Sequence, residues 1–397
     1  MLYFQDRNTG WSDFEMECQK LFDEIEKLND KYINFWIDVC SIESPTENKA
    51  AVDKCGKLFT DEAKKLGFEI DIHSEEKVGD CICITMNADA KEKPVVFSAH
   101  LDTVHPIGLF GNPPVRCEDG KIYGPGVTDC KGGAVSALMA MEALKNCGFS
   151  SRPVMLLLQS DEENGSRGSN KRTVKYMCEK SKDAIAFLNG EGYGENIATL
   201  ERKGILKYSF EIAGRAVHSS VCHAGASAIV EAAHKILELE KLKDPEALTC
   251  NCGLIRGGTA ENTVPEKCTF TADIRFSNAE QMEYAKKLVS EIAESSYVDG
   301  TKCEFTLASY RVAMSHRDEN YALLDKMNQI YAANGMPVLE PKKGAGGSDA
   351  ADLSDSGVPS IDSLGVQGGY VHSIKEYAYL SSLADSAKRY AAIAYCI

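Results

Sequence analysis

The stretch Phe97-Ser98-Ala99-His100-Leu101-Asp102-Thr103-Val104 decides how this chain is read. Pro94 to Ala99 has the β-branched and aromatic character of a strand, and the run ends in an imidazole with a carboxylate two places further on. In extended backbone, residues i and i+2 point the same way, so His100 and Asp102 can face one site. A metal-binding His usually has a carboxylate behind it that orients the ring, and this pair can supply both groups.

Three other apolar runs stop as abruptly. Pro153 to Gln159 runs into Ser160-Asp161-Glu162-Glu163, and Ala184 to Leu188 runs into Asn189-Gly190-Glu191-Gly192. Pro359 to Leu364 runs into a glycine-rich loop and then His372. Short apolar runs separated by helix-like segments read as buried parallel strands. Open α/β sheets collect ligands at the carboxyl ends of such strands. Asp129 lies in the loop Gly124 to Gly133, just ahead of the helical pattern Ala134 to Leu144. Two imidazoles and several carboxylates therefore share one rim.

At 397 residues the chain is long enough for two or three domains, and 44% apolar with 26% charged residues is ordinary for a globular protein. A formal charge of -15 argues against nucleic acid or an anionic membrane as partner, since both need a basic face. No stretch approaches the length of a membrane-spanning helix. The 15 cysteines are odd in number, lie in apolar segments and form no C-x-x-C pair. Cys81/Cys83 and Cys250/Cys252 alternate within strand-like runs, each pair sharing one face. Reduced cysteines acting as small hydrophobes point to a cytoplasmic protein. Residues 1–5, Met-Leu-Tyr-Phe-Gln, look like the remnant of a cleavable tag.

Trp11 to Asp38 is helical in period, and Ser44-Pro45-Thr46-Glu47 opens a second helix that stops at Gly67. Strands are expected near Glu69–Ile72 and Cys81–Met86, after which strand and helix alternate to about Lys203. From Gly204 the order becomes β-α-β-β-α-β: Ile205–Ala213, Gly225–Leu242, Leu248–Arg256, Cys268–Phe276, Ala279–Ser295 and Lys302–Ala308. The expected architecture is α/β, a mixed and mostly parallel sheet flanked by helices. A discontinuous catalytic domain (6–204 and 314–397) is interrupted by a lid or dimerisation domain (205–313). Helix Asp318–Ala333 and the loop Gly344 to Asp349 lead into the last strand and helix.

No G-x-S-x-G elbow, H-E-x-x-H pair or G-K-[ST] phosphate loop occurs. Five motifs do occur in order: S-A-H-L-D-T-V, G-x-G-x-x-D-x-K-G-G, D-E-E, G-E-x and H-S-x-K-E. Together they resemble the co-catalytic zinc aminoacylase and carboxypeptidase family over nearly the whole chain from Phe35, with the texture of its glutamate carboxypeptidase branch. The resemblance implies two divalent ions per subunit, zinc first, with cobalt or manganese also suited to N/O ligands. It assigns His100 and Glu191 to one ion, Glu163 and His372 to the other, and Asp129 as the bridge. It leaves Glu162 as general base beside a bridging hydroxide and Asp102 as the orienter of His100. It also implies that His218 reaches a partner subunit's site, that Asn262 contacts substrate, and that Arg311 and the loop at Gly347 grip a substrate carboxylate.

Departures from the family pattern are Val221-Cys222-His223 in the lid, Cys130 after Asp129, and Gly192 after Glu191. The expected activity is hydrolysis of an amide bond in a peptide or N-acyl amino acid by a homodimer. A deacylase of the acetylornithine or succinyl-diaminopimelate type is the alternative, and an inactive ligand-binding relative is the alternative of another class.

Overall fold

The computed structural model describes residues 10–192 and 194–397, with side chains from Cys18 onward. The tag-like residues 1–5 lie outside the described part. Two compact units emerge: one holds the chain up to Leu200, Arg317–Lys343 and Ser348–Ile397, the other Glu201–His316 with Gly344–Gly347.

The first unit is built on a six-stranded sheet. Its order is Glu69–His73, Cys81–Met86, Val154–Gln159, Val95–His100, Ala186–Asn189 and Ser360–Ile361. The first two pairings are antiparallel and the remaining three parallel, so the sheet is mixed. The central strand Val95–His100 is buried along its whole length, as a strand covered on both faces must be. Phe97 sits between Leu156 and Leu188 in register, and His100 stands opposite Gln159 at the rim. Three helices, Gly10–Cys40, Lys131–Asn146 and Ser381–Cys396, pack on one another. Together with the sheet they enclose Trp36, Phe97, Leu138, Leu156 and Tyr390. Helices Lys49–Lys65, Arg172–Ser181 and Asp349–Asp355 also lie against the sheet.

The second unit has its own core. Strands Gly204–Ala213, Thr249–Gly257, Lys267–Phe276 and Lys302–Arg311 alternate with helices Ala228–Leu239 and Ala279–Glu294 in the order β-α-β-β-α-β. All pairings are antiparallel, with Lys267–Phe276 and Gly204–Ala213 in the middle. Burial alternates along Gly204–Ala213, and Leu206, Tyr208, Phe210 and Ile212 face the helices as period two requires. Phe210 stacks on Phe270 at 4.3 Å.

Three details differ from the expectations. Ser44–Glu47 does not open the second helix. Asn48 caps it, accepting from the Ala51 N–H at 3.1 Å, and the helix runs Lys49–Lys65. The strand expected over Pro359–Leu364 shrinks to Ser360–Ile361, because Asp362 leaves the sheet to exchange backbone hydrogen bonds with Thr199, and two short strands, Gly368–Gly369 and Tyr377–Tyr379, follow it. The second unit also takes in Glu201–Gly204, Met314–His316 and Gly344–Gly347. Arg202 N–H donates to Met314 and Lys203 N–H to Gly344, which ties these ends together. Among the described residues no helix is long and apolar enough to cross a membrane.

Candidate metal centre

The parallel strands deliver their acids to one rim. His100 ends its strand, Glu162 and Glu163 follow Val154–Gln159, and Glu191 follows Ala186–Asn189. Asp129 precedes the helix Lys131–Asn146, and His372, with a left-handed φ of 60°, lies in the loop joining the short antiparallel strands Gly368–Gly369 and Tyr377–Tyr379. Gly133 and Gly190 let that helix and the Glu191 loop touch, for a Cβ on Gly133 would stand 2.0 Å from the Gly190 carbonyl oxygen.

The side chains converge. His100 Nε2 lies 2.9 Å from Asp129 Oδ1 and 3.6 Å from Glu191 Oε1. His372 Nε2 lies 3.2 Å from Asp129 Oδ2 and 3.2 Å from Glu163 Oε2. The two oxygens of Asp129 thus face two different imidazoles. A tetrahedral ion with arms of 2.0–2.1 Å sets its ligands roughly 3.4 Å apart, and the observed spacings bracket that edge.

The electrostatics agree. Burial opposes charge on the His100 ring, yet Cys130, Asp102, Asp129 and Glu191 push its pKa well above the ordinary range. Contacts with Asp129 and Glu163 raise His372 to about 10. Burial pushes Glu163 up to about 7 and Glu191 well above its ordinary value. Burial also pushes Asp129 upward, but the two imidazoles outweigh it and hold its carboxyl low. Carboxylates crowded this closely retain protons that a divalent cation would replace. The donor set, imidazole nitrogen and carboxylate oxygen, fits such an ion.

A ring of hydrogen bonds holds these side chains in place. The fully buried carboxylate of Asp102 accepts from Thr46 Oγ1 at 2.7 Å and from the backbone N–H groups of Glu162 and Glu163 at 3.2 and 3.1 Å. His100 Nδ1 lies 3.4 Å from Asp102 Oδ1 and 3.0 Å from its carbonyl oxygen. One carboxylate therefore sets both the first imidazole and the Glu162–Glu163 turn.

Sequence reasoning named Glu376 only as the last residue of the H-S-x-K-E motif and gave it no role. It is buried, accepts from the N–H groups of Gly126, Thr128 and Asp129 at 3.3, 2.9 and 3.0 Å, and lies 3.3 Å from His105 Nε2. It positions the Asp129 loop, and the only signal for it was its place four residues after His372. Thr46 was missed because it was taken as part of a helix start.

The remaining expected residues lie in the second unit, in two pairs. His218 bridges Thr263, and the Ser219 N–H donates to the Asn262 carbonyl at 2.9 Å, so His218 and Asn262 are neighbours. The exposed His218 ring accepts from the Ser220 N–H. Arg311 is buried, and a Cβ on Gly347 would stand 2.5 Å from its Cδ.

A profile of the peptidase family M20/M25/M40 matches residues 96–395. The chain is 29% identical to carboxypeptidase G2 of a Pseudomonas species over 349 residues, 86% of this chain and 83% of that protein. It is 28% identical to acetylornithine deacetylase of Myxococcus xanthus over 257 residues, 62% of this chain and 64% of that one. An aminopeptidase from Bacillus cereus superposes with a TM-score of 0.75 at 21% identity, covering 92% of this chain and 97% of its own. A tripeptidase from Staphylococcus aureus does so with 0.75 at 22%, over 92% and 98%. With the family profile spanning the rim residues from His100 to His372, the chain belongs to the M20/M25/M40 peptidases and is a metal-dependent hydrolase of amide bonds.

Proposed function

We propose that this protein is a dinuclear zinc enzyme that removes a C-terminal amino acid from a peptide or N-acyl conjugate. His100 and Glu191 would hold one ion, Glu163 and His372 the other, and Asp129 both. The observation that supports this most is the placing of Asp129, one oxygen 2.9 Å from His100 and the other 3.2 Å from His372. Bound there, the ions would supply Lewis acidity, lowering the pKa of a water and polarising the scissile carbonyl.

The chain's own groups do the rest. Asp102 fixes the His100 ring and the Glu162 backbone. Glu162 stands close enough for its charge to bear on both Glu163 and Glu191. It takes the proton of the attacking water and returns it to the departing nitrogen as the C–N bond breaks. Arg311, held beside Gly347, carries a permanent charge suited to the substrate's α-carboxylate, and Asn262 contacts the substrate.

The second unit acts as lid and dimerisation domain, and His218 serves the partner subunit's site. Exposed Ile229, Val230 and Leu237 on one helix, with Leu254 and Ile255 on the edge strand Thr249–Gly257, support an apolar contact between copies. Fifteen unbridged cysteines support a reducing, cytoplasmic setting.

Titrating zinc into metal-free protein and assaying free-acid peptides, their C-terminal amides and N-acyl amino acids tests the reading. Free-acid peptides should be cleaved, and amidation should cost about 30- to 4,000-fold in kcat/KM, the loss of a buried charge contact of roughly 2–5 kcal/mol. Preference for N-acyl amino acids over peptides would instead favour the deacylase reading, which the acetylornithine deacetylase relative makes the second choice. Equal cleavage of acid and amide would remove the carboxylate clamp.

A further inference from the structure

A second group of ligand-capable side chains lies in the other unit and uses no residue of the rim site. Glu240, Cys250 and Cys252 offer ligand atoms that all lie within 4.8 Å of one another. Glu240 closes the helix Ala228–Leu239 as its C-cap, and the two cysteines lie on the next strand, Thr249–Gly257. Spacing alone does not create the cluster, since Cys81 and Cys83 share it and form no such group.

What creates it is a β-bulge. The register with Lys267–Phe276 breaks between Asn251 and Leu254, so Cys252 and Gly253 share the place of one residue. Bulges re-aim the side chain of the extra residue. The Cys252 N–H donates to Glu240 Oε1 at 2.6 Å, pinning the carboxylate beside the thiols. Lys243 pairs with the other oxygen of Glu240 and donates to the Cys250 carbonyl at 2.9 Å.

We propose that Glu240, Cys250 and Cys252 form a binding site for a thiophilic divalent cation of the zinc or cadmium class. Two thiolates select a soft or borderline ion over magnesium or calcium. Two sulfurs, one carboxylate oxygen and a water complete a tetrahedron. Cys250 is buried, whereas Cys252 and Glu240 are partly open, which leaves a way in. The facing Cys252 thiol, then burial and Glu240, hold the Cys250 thiol protonated, and Lys243 opposes them. Ion uptake therefore releases protons and weakens as pH falls. The bound ion ties the end of a helix to the edge strand of the same sheet.

Cadmium added to the zinc-loaded protein tests this through thiolate-to-metal absorption in the near ultraviolet. The unmodified chain should develop a saturable band. Cys250→Ser with Cys252→Ser should remove it, whereas Cys130→Ser, which deletes the thiol beside His100 and Glu191, should leave it. Glu240→Gln, with both thiols intact, should keep the band but bind at least about 10-fold more weakly, the smallest loss usual even for an outer partner of a metal site. Because the serine pair could disturb the strand, cadmium should also shield Cys250 and Cys252 of the unmodified protein from iodoacetamide, read by peptide mass spectrometry. A band that survives the serine pair, or the absence of both band and shielding in the unmodified chain, overturns the site.

Discussion

Glu162 and Glu163 are adjacent in sequence, yet they differ in what they face. Glu163 Oε2 reaches His372 at 3.2 Å, whereas Glu162 is assigned the moving proton. Glu162→Gln should lower kcat by about 10²- to 10⁴-fold with metal content intact, the usual worth of a general base. Glu163→Gln should shed one ion instead, and elemental analysis beside a rate measurement separates the two. Equal behaviour of the pair would reverse the assignment. Glu376 offers a second test at this scale. It touches no expected ligand side chain but receives the Asp129 N–H at 3.0 Å. Glu376→Ala should weaken zinc binding about 10- to 100-fold, as removal of an outer partner does. It should also cost about 1–3 kcal/mol of stability for the buried donors left unpaired. Metal-competition titration and urea unfolding measure the two effects.

Among the elements, the helices bracing the sheet are joined by one cation. Lys31 on Gly10–Cys40 meets Glu62 on Lys49–Lys65 at 2.7 Å and Glu142 on Lys131–Asn146 at 2.5 Å. Tyr32 adds a hydrogen bond to Glu142 at 2.6 Å. Because the Lys31 side chain is 41% exposed and its charge screened, Lys31→Met should destabilise the first unit by only about 1–2 kcal/mol. Burial pushes the Glu62 carboxyl up, but Lys31 and Lys65 outweigh it and hold it below its ordinary 4.5. A lowered folded pKa makes this contribution complete above that value, and it is lost as pH falls through the folded one. Unfolding midpoints of the two proteins, measured from neutral pH downward, should therefore converge in acid. A constant difference across that range would remove the ion pair as the cause.

For the whole molecule, the proposal of paired copies makes activity a property of two chains. Sedimentation should find a dimer, and replacing Leu237 and Ile255 with Glu should split it. Mixing inactive His218→Ala with inactive Glu162→Gln under subunit exchange should restore part of the rate. No recovery in heterodimers known to have formed would confine His218 to its own subunit or remove it from catalysis. Chelation should abolish activity and zinc should return it. Asp129→Ala should lower the metal content by two ions per chain, and a loss of only one would end its bridging role.

The alternation of apolar runs with acidic stops was legible without coordinates, because a metal site needs His and carboxylates and a parallel sheet puts its strand ends together. His100, Asp129, Glu163, Glu191 and His372 could be named from that pattern and the family resemblance. The same periodicity marked the strands Cys81–Met86 and Lys267–Phe276 to within a residue. Contacts between distant segments carried no such signal. Glu376 meets the Asp129 N–H across 247 positions, and Thr46 meets Asp102 across 56. Neither has a local period to betray it. The bulge that turns Cys252 toward Glu240 is likewise a property of pairing with Lys267–Phe276, not of Cys250-Asn251-Cys252 itself. Residue type and spacing determined which chemistry this chain can hold, and only the packing of remote segments decided which groups aim it.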